Sequence, residues 1–103
     1  MSIRMDENSS GVSTLTLPET YTLFELEQAL LSMGRRERVV LDMSAARVDH
    51  SAFELERLAA MLGQVTGEVL VKTADTLRFG FARTLMGYCS ARNVRVHIER
   101  TLP

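Results

Sequence analysis

The sequence is poor in the residues that build disulfides, metal sites and membrane spans. Cys89 is its single cysteine, so no disulfide can form within the chain, which fits a reducing compartment. His50 and His97 are its two histidines, and neither a Cys-x-x-Cys nor a His-x-x-x-His spacing occurs, so no metal site is predicted. No apolar run approaches the ~20 residues that a membrane-spanning helix needs, and the first ten residues lack the apolar stretch of a secretory signal. These absences predict a cytoplasmic protein with no cofactor and no membrane insertion.

Charge is small in total but uneven along the chain. The formal net charge is -1, which argues against a nucleic-acid partner, because such binding depends on a basic surface. Residues 1–70 carry six Arg and eleven acidic residues, whereas residues 71–103 carry one Lys and five Arg against two acidic residues. Such a charge dipole can orient a protein partner, and in a chain this short it can also arise by chance. A homodimer in which the acidic and basic parts of two chains meet is left open.

Hydrophobic periodicity predicts a single domain over residues 1–103, which is an ordinary length for one folded unit. Stretches with alternating apolar residues predict strands, and apolar residues three or four apart predict helices. The predicted elements are a hairpin of strands 2–6 and 13–17, helices at about 22–33, 51–63 and 76–92, and strands at 38–43, 69–71 and 94–99. The order β-β-α-β-α-β-α-β predicts an α/β fold in which helices pack on a central mixed sheet.

Several residues mark the ends of the predicted helices. Thr22 and Glu25 have the spacing of a capping box, in which each side chain bonds the backbone N–H of the other residue. Gly34 and Gly63 are predicted to end the first and second helices, because glycine is common just after the last helical turn. Asp75 is predicted to cap the third helix.

Burial can also be predicted from the pattern. The apolar run at 38–43 is typical of a central strand that is covered on both faces. Cys89 falls on the inner face of the third helix, which predicts a buried and unreactive thiol. Gly80 and Gly87 share a face of that helix and are predicted to permit close helix packing. His97 is predicted to be solvated on the polar side of a final edge strand.

Asp49-His50-Ser51 is the stretch with the most chemistry, and its first interpretation is a helix cap. Ser51 with Glu54 fits a second capping box, and Asp49 as the cap, with Val48 packing on Phe53, is the alternative. The three polar residues resemble a catalytic triad only in composition, because adjacent residues on one turn cannot align nucleophile, base and orienting group. A phosphate added here would meet the N–H donors of a helix start.

The stretch VVLDMSAARVDHSAFELERL resembles the signature of STAS domains, the fold of bacterial anti-sigma factor antagonists. In that family a buried strand ending in Asp-Leu-Ser leads through a short loop to Asp-Ser-Ser-Gly at the start of the second helix. The element order is also similar, and the resemblance covers about residues 14–98. Asp49 matches the family's Asp, His50 stands where the phosphorylated Ser or Thr normally stands, and Ser51 matches the next small position. Ala52 replaces the Gly. Because His50 replaces the Ser or Thr, the resemblance does not imply phosphorylation at the usual position, and Ser51, one residue out of register, is left as a substitute acceptor.

The resemblance implies a protein that binds and does not catalyse. Its partners would be an anti-sigma kinase-like protein or, as the alternative, the other subunits of an ABC-type phospholipid or anion transporter complex. Docking in the family uses the start of the second helix and the surface near it, which here is Asp49, His50 and Ser51. A third hypothesis, from another class, is a small ligand-binding protein or enzyme that uses His50 in a concave pocket.

Apolar residues outside the inner helix stripes offer a separate indication of a binding surface. Those beside the Ser51 region on helices 2 and 3 complete the predicted docking set: Phe53, Phe79 and Met86. Met61 on the second helix, and Phe24 and Leu31 on the first, share this property. They form either a protein interface or a broad inner face of each helix, and the pattern alone does not choose between the two.

Overall fold

Strands and helices follow one another in the predicted order, β-β-α-β-α-β-α-β. The computed structural model describes residues 3–8, 10–74 and 76–101, without the side chains of residues 76–79. The strands are β1 (Arg4–Glu7), β2 (Val12–Thr16), β3 (Arg38–Asp42), β4 (Glu68–Thr73) and β5 (Arg95–Arg100). The helices are α1 (Leu23–Met33), α2 (Ala52–Val65) and α3 (Thr76–Ser90). The predicted α/β fold class is confirmed.

The five strands lie in the sheet in chain order, β1-β2-β3-β4-β5. β1 pairs antiparallel with β2, and every later pair is parallel, so the sheet is mixed as predicted. Each helical crossover moves one strand further in the same direction. Because such crossovers are right-handed, the three helices lie on the same face of the sheet. The fold is therefore two layers, with the second face of the sheet left open.

Burial of the strand residues agrees with this arrangement. Side chains on one face of the strands join the buried residues of all three helices in one core cluster; those strand residues are Leu15, Val39, Leu41, Val69 and Val71. The side chains between them point to the open face, since successive residues of a strand point to opposite faces. The core thus lies entirely between the sheet and the helical layer.

The prediction that β3 is a central strand with parallel neighbours is confirmed, but the helices cover only one of its faces. Val40 is only 7% exposed, yet it lies outside the core cluster. The strand register places Val40 between Thr14 of β2 and Leu70 of β4 on the open face. Val40 is therefore shielded by its neighbours in the sheet, and the helices cover only the opposite face.

The first helix begins and ends as the sequence predicts. Thr22 and Glu25 form the capping box: the backbone N–H of Glu25 donates to Thr22 Oγ1 at 3.1 Å, and that of Thr22 donates to Glu25 Oε1 at 3.1 Å. Gly34 follows the helix with a φ of 70°, a conformation that glycine adopts without strain. α1 buries Leu26, Leu30 and Met33 against the sheet.

The second helix continues beyond the predicted end at Gly63. It runs to Val65, and Thr66 is its C-cap. Thr66 is buried, and its hydroxyl donates to the Glu37 carbonyl at 3.1 Å, which ties the helix end to the start of β3. Gly63 lies within the helix, and a Cβ at this position would stand 3.7 Å from Val94 Cγ2, an ordinary van der Waals distance, so the packing does not require glycine here.

The third helix differs from the prediction in its end and in its glycines. It ends at Ser90, two residues early, and Asn93 turns the chain toward β5 with a φ of 60°. Gly80 and Gly87 are exposed, and no described atom outside the helix backbone lies within 4 Å of a Cβ built at either position, so they permit no close packing. The proposed cap residue, Asp75, lies outside the described residues.

Other predictions for the second half of the chain are confirmed. Cys89 is 0% exposed, and β5 lies at one edge of the sheet with His97 exposed. Burial raises the pKa of the Cys89 thiol to about 11, so the nucleophilic thiolate is scarce at neutral pH. Within the described residues, no helix has the length and apolar character to cross a membrane.

Candidate functional site

The segment between β3 and α2 lies at the carboxyl edge of the parallel strands. Met43 is buried, and its N–H donates to the Lys72 carbonyl of β4 at 2.8 Å. The N–H of Arg47 donates to the Glu19 carbonyl at 2.8 Å, which joins the segment to the loop after β2. These bonds position the three residues that precede the helix, Asp49, His50 and Ser51.

Ser51 is the N-cap of α2. Its Oγ accepts the N–H of Glu54 at 3.2 Å, and its own N–H donates to Glu54 Oε1 at 3.0 Å, which completes a capping box. The first of the two cap interpretations is therefore confirmed, and the one that makes Asp49 the cap is wrong. Ser51 and Asp49 are both exposed.

Removing the cap should destabilise the protein. Ser51→Ala is expected to lower the free energy of unfolding by about 1 kcal/mol, because the Glu54 N–H loses its acceptor. Ser51→Asn is the matched control, since asparagine caps helices as well as serine does. Urea unfolding followed by circular dichroism measures both variants. If the two variants lose the same free energy of unfolding, the Ser51 cap does not stabilise the helix as described.

Glu54 makes the cap sensitive to acid. The backbone N–H of Ser51, followed by the hydrogen bond to His50, holds the pKa of Glu54 below its ordinary value of 4.5. A carboxyl whose pKa is lower in the folded state stabilises the fold above its unfolded pKa, and this stabilisation is lost as the pH falls through the folded value.

We therefore expect the wild type to lose stability on acidification below about pH 4.5 more steeply than Glu54→Gln does. The comparison is made by urea unfolding at a series of pH values from neutral to acid. Glu56→Gln, an exposed position on the same helix, should keep the wild-type pH dependence. If Glu54→Gln and the wild type have parallel pH profiles, the capping carboxylate does not titrate as described.

His50 is directed into the protein and away from solvent. Its side chain is 2% exposed, its Nε2 lies 2.8 Å from the Tyr21 hydroxyl, and its Nδ1 lies 3.4 Å from Glu54 Oε2. The imidazole ring also packs between two aromatic rings, with centroid distances of 5.4 Å to Tyr21 and 5.6 Å to Phe81. Both ring nitrogens therefore have partners, and neither is presented to a substrate or to a kinase.

Tyr21 and Phe81 contact His50, and the sequence analysis assigned neither of them to the site. Tyr21 comes from the segment before α1 and Phe81 from α3, so they reach His50 from separate parts of the fold. Tyr21 is only 6% exposed. An apolar residue directly before the Thr22 cap often packs inward, and this position was the available signal for Tyr21.

A groove of about 360 Å³ separates the start of α2 from α3. It is lined by Asp49, His50, Ala52, Leu55, Gly80, Phe81 and Thr84. Apolar side chains and one edge of the buried imidazole form much of its wall. In the described part of the chain, no three His, Cys, Asp or Glu side chains lie close enough together to hold a metal ion.

The predicted docking residues do not form one surface. Phe53 is 69% exposed on the outer side of α2, where it lines a depression with Arg57 and Arg92. Met86 lines a different groove, between α3 and β5. The side chain of Phe79 lies outside the described residues. Asp49, His50, Ser51 and Phe53 are neighbours in the chain, although Phe53 lines a different depression from Asp49 and His50, and Met86 is separate from all of them.

The apolar residues outside the inner helix stripes also differ in whether they are exposed or packed against the core. Phe24 and Leu31 on α1 are 62% and 52% exposed, as is typical of surface positions. Met61 packs against the core cluster, so it belongs to a broad inner face of α2. Phe53 is therefore the exposed apolar residue nearest the Ser51 cap.

Comparison with known proteins does not identify a relative of this chain. No family model, curated protein or solved structure matches this chain. What the fold and site define is a two-layer α/β protein with a capped, exposed helix start beside a buried histidine. The likeness to STAS domains continues to depend on the residues of the 39–58 stretch and on the order of elements.

Proposed function

We propose that this protein is a non-enzymatic interaction module of the STAS type, which acts in the cytoplasm and binds a protein partner at the start of α2. The observation that carries the proposal is Phe53. This large aromatic side chain is 69% exposed two residues after the Ser51 cap. Aromatic residues that are exposed in the free protein and buried on binding are frequent anchors of protein interfaces.

The chemistry around Phe53 supports binding more than catalysis. The single histidine of this region has both ring nitrogens engaged and a side chain that is 2% exposed. A general base must reach the substrate proton within hydrogen-bonding distance. The hypothesis of an enzyme that uses His50 therefore has less support than the binding hypotheses.

The same geometry bears on how binding would be regulated. The family's acceptor position is held by His50, whose buried ring is a poor phosphate acceptor. Ser51 has an exposed position, but its hydroxyl already accepts the N–H of Glu54, and Glu54 Oε1 already accepts the N–H of Ser51. A phosphate on Ser51 would compete with the Glu54 carboxylate for these donors and would repel it. This arrangement favours constitutive docking, as in a fixed subunit of a transporter complex, over a phosphorylation switch.

Site-specific photo-cross-linking in lysate of the protein's own source tests the docking site. A photoreactive phenylalanine analogue at position 53 is expected to capture a partner that the same analogue at position 31 does not. Leu31 is the matched control because it is 52% exposed on the same helical layer, away from the α2 start. Phe53→Gln should abolish co-purification of that partner, whereas Leu31→Gln should not. Identical capture from positions 53 and 31 would contradict docking at the α2 start.

Charge at Ser51 separates the two kinds of partner. Ser51→Asp adds a negative charge and Ser51→Asn does not, while both side chains can cap the helix. A partner that is retained by Ser51→Asn and lost by Ser51→Asp indicates a charge-sensitive contact, as expected for an anti-sigma kinase-like protein. An ATPase or permease that is retained by both variants indicates a fixed transporter subunit.

A further inference from the structure

β5 ends the sheet, and in the described residues no strand pairs with its outer edge. The N–H of Arg95 donates to the Gly67 carbonyl at 3.0 Å and that of Thr101 to the Thr73 carbonyl at 2.8 Å, both toward β4. Backbone direction alternates along a strand, so the N–H and C=O groups of Val96 and Ile98 point outward. An exposed edge of this kind is a template for another strand.

The side chains of β5 alternate in chemistry as well as in direction. Arg95, His97 and Glu99 are exposed on the open face of the sheet, whereas Val96 and Ile98 are partly buried and pack against the core. Along the open face the strand therefore presents a basic residue, a histidine and an acidic residue in turn. If a second copy is related to the first by a two-fold axis at His97, an acidic residue stands opposite a basic one on each side of the axis.

We propose that this edge binds a second copy of the chain, by antiparallel pairing of β5 with β5 about a two-fold axis at His97. In this register Arg95 faces Glu99 of the second copy, and Glu99 faces its Arg95. Val96 faces the second copy's Ile98, and these are the residues whose backbone groups point outward to bond across the edge. Backbone direction, charge and apolar contact thus agree on one register.

Neighbouring registers are less complementary. A shift of the axis to Val96 places Arg95 opposite His97, which removes the opposite-charge pairs. A shift to Ile98 pairs His97 with Glu99 but places Val96 opposite Arg100. Opposite charges across strands stabilise pairing and like charges weaken it. His97 at the axis lies 3.4 Å from Glu68 of its own chain. Each of the two facing imidazoles therefore has a carboxylate beside it.

A groove beside the edge provides room for the second copy. It has a volume of about 490 Å³ and lies between α3 and β5, with an apolar lining of Met86, Val94 and Val96 and a polar lining of Ser90, Asn93, Arg95 and His97. The Ile98 side chain of the second copy would extend over the apolar part of this lining, because it stands opposite Val96. This proposal also explains why Met86 lies apart from the α2 docking site, because Met86 lines the groove at the β5 interface.

The other edge strand fits a second copy less well. β1 has four residues, against six in β5, and all four are exposed. It therefore provides fewer backbone groups. A groove of about 490 Å³ also lies beside this edge, but Arg4 is the one β1 residue in its lining, so it meets only the end of the strand. The β5 interface is itself small for a stable dimer, so we expect weak self-association with rapid exchange.

Charge reversal tests the proposed register. Sedimentation velocity from about 10 μM to 1 mM should show the wild type passing from monomer to dimer. Arg95→Glu and Glu99→Arg should each weaken self-association about tenfold or more, because each places like charges opposite one another. A mixture of these two variants should restore it, since every pair in the mixed dimer is again of opposite charge. Arg95 is 79% exposed but also lies 3.4 Å from Glu68 of its own chain, so circular dichroism and urea unfolding verify that both variants remain folded.

Arg47→Glu is the matched control. Arg47 is 75% exposed and forms a long ion pair with Glu19, but it lies at the far side of the sheet. This variant should associate like the wild type. A wild type that stays monomeric at 1 mM overturns the proposal, as does an association that Arg95→Glu leaves unchanged. Neither result bears on docking at Phe53, which is on another surface.

Disulfide trapping locates the two-fold axis. Cα atoms of facing residues that are not hydrogen-bonded lie about 4.5 Å apart, within the range a disulfide spans. Mild oxidation should therefore cross-link His97→Cys into dimers, and should cross-link Glu99→Cys much more slowly. The native thiol of Cys89 is buried and should not interfere. Faster cross-linking through position 99 would overturn the register.

Discussion

Replacing Leu62 by alanine is expected to lower the free energy of unfolding by about 3 kcal/mol. Leu62 is 0% exposed on the inner face of α2, where it belongs to the cluster that joins the sheet to the helices. The substitution removes buried methyl groups and leaves a cavity that a close-packed interior fills only in part. For a domain with a total stability of roughly 5 to 15 kcal/mol, this is a large fraction.

Leu31→Ala is the control for Leu62→Ala, because it makes the same chemical change at a position that is 52% exposed. We expect a loss within about 0.5 kcal/mol for this variant, as is usual for surface substitutions. Urea unfolding with a common m-value measures both. Similar losses at the two positions would mean that the core does not lie between α2 and the sheet.

The second large effect is expected at His50. His50→Ala should lower the free energy of unfolding by about 2 to 3 kcal/mol, since it removes a ring packed between Tyr21 and Phe81 and a hydrogen bond to Tyr21. A histidine retained only for phosphate transfer or catalysis would be exposed, and its removal would cost little stability. The measurement therefore distinguishes a structural role from a chemical one.

His50→Phe separates packing from hydrogen bonding. Phenylalanine keeps most of the ring volume but provides no partner for the Tyr21 hydroxyl or for Glu54. We expect it to retain the packing and to lose about 1 kcal/mol for the hydrogen bonds. His50→Ala with a stability equal to that of the wild type would show that the imidazole is not part of the packed core.

The two proposed interfaces occupy different parts of the molecule. Docking at Phe53 uses the outer side of α2, whereas self-association uses the outer edge of β5. A partner and a second copy can therefore bind the same chain at once. If both proposals hold, the dimer would present two Phe53 sites, which increases the apparent affinity for a partner with two binding sites.

Much of the fold was predictable because its signals are local. Both capping boxes depend on residues three apart, Thr22 with Glu25 and Ser51 with Glu54, and both were found at the predicted positions. The end of α2 was not predictable from Gly63, because the helix continues to Val65 and its end is held by the bond of the Thr66 hydroxyl to the Glu37 carbonyl. That bond joins residues 29 positions apart.

The site was predictable as a position but not as an arrangement. Asp49, His50 and Ser51 precede α2 as the sequence indicates, but the choice of Ser51 over Asp49 as the cap was made only by the structure. The direction of the His50 ring depends on Tyr21 and Phe81, which lie in other elements. The separation of Met86 from the Ser51 region likewise depends on where α3 lies relative to β5.

By itself the sequence determined which segments become strands and helices, where α1 and α2 begin, and that one face of each helix is apolar. These features follow from hydrogen bonds and periodicities within a few residues. Only the tertiary structure decided that the three helices share one face of the sheet and that His50 is buried while Phe53 is exposed. Those outcomes depend on contacts between residues distant in the chain, such as Tyr21 with His50, and a local pattern carries no information about which distant residues meet.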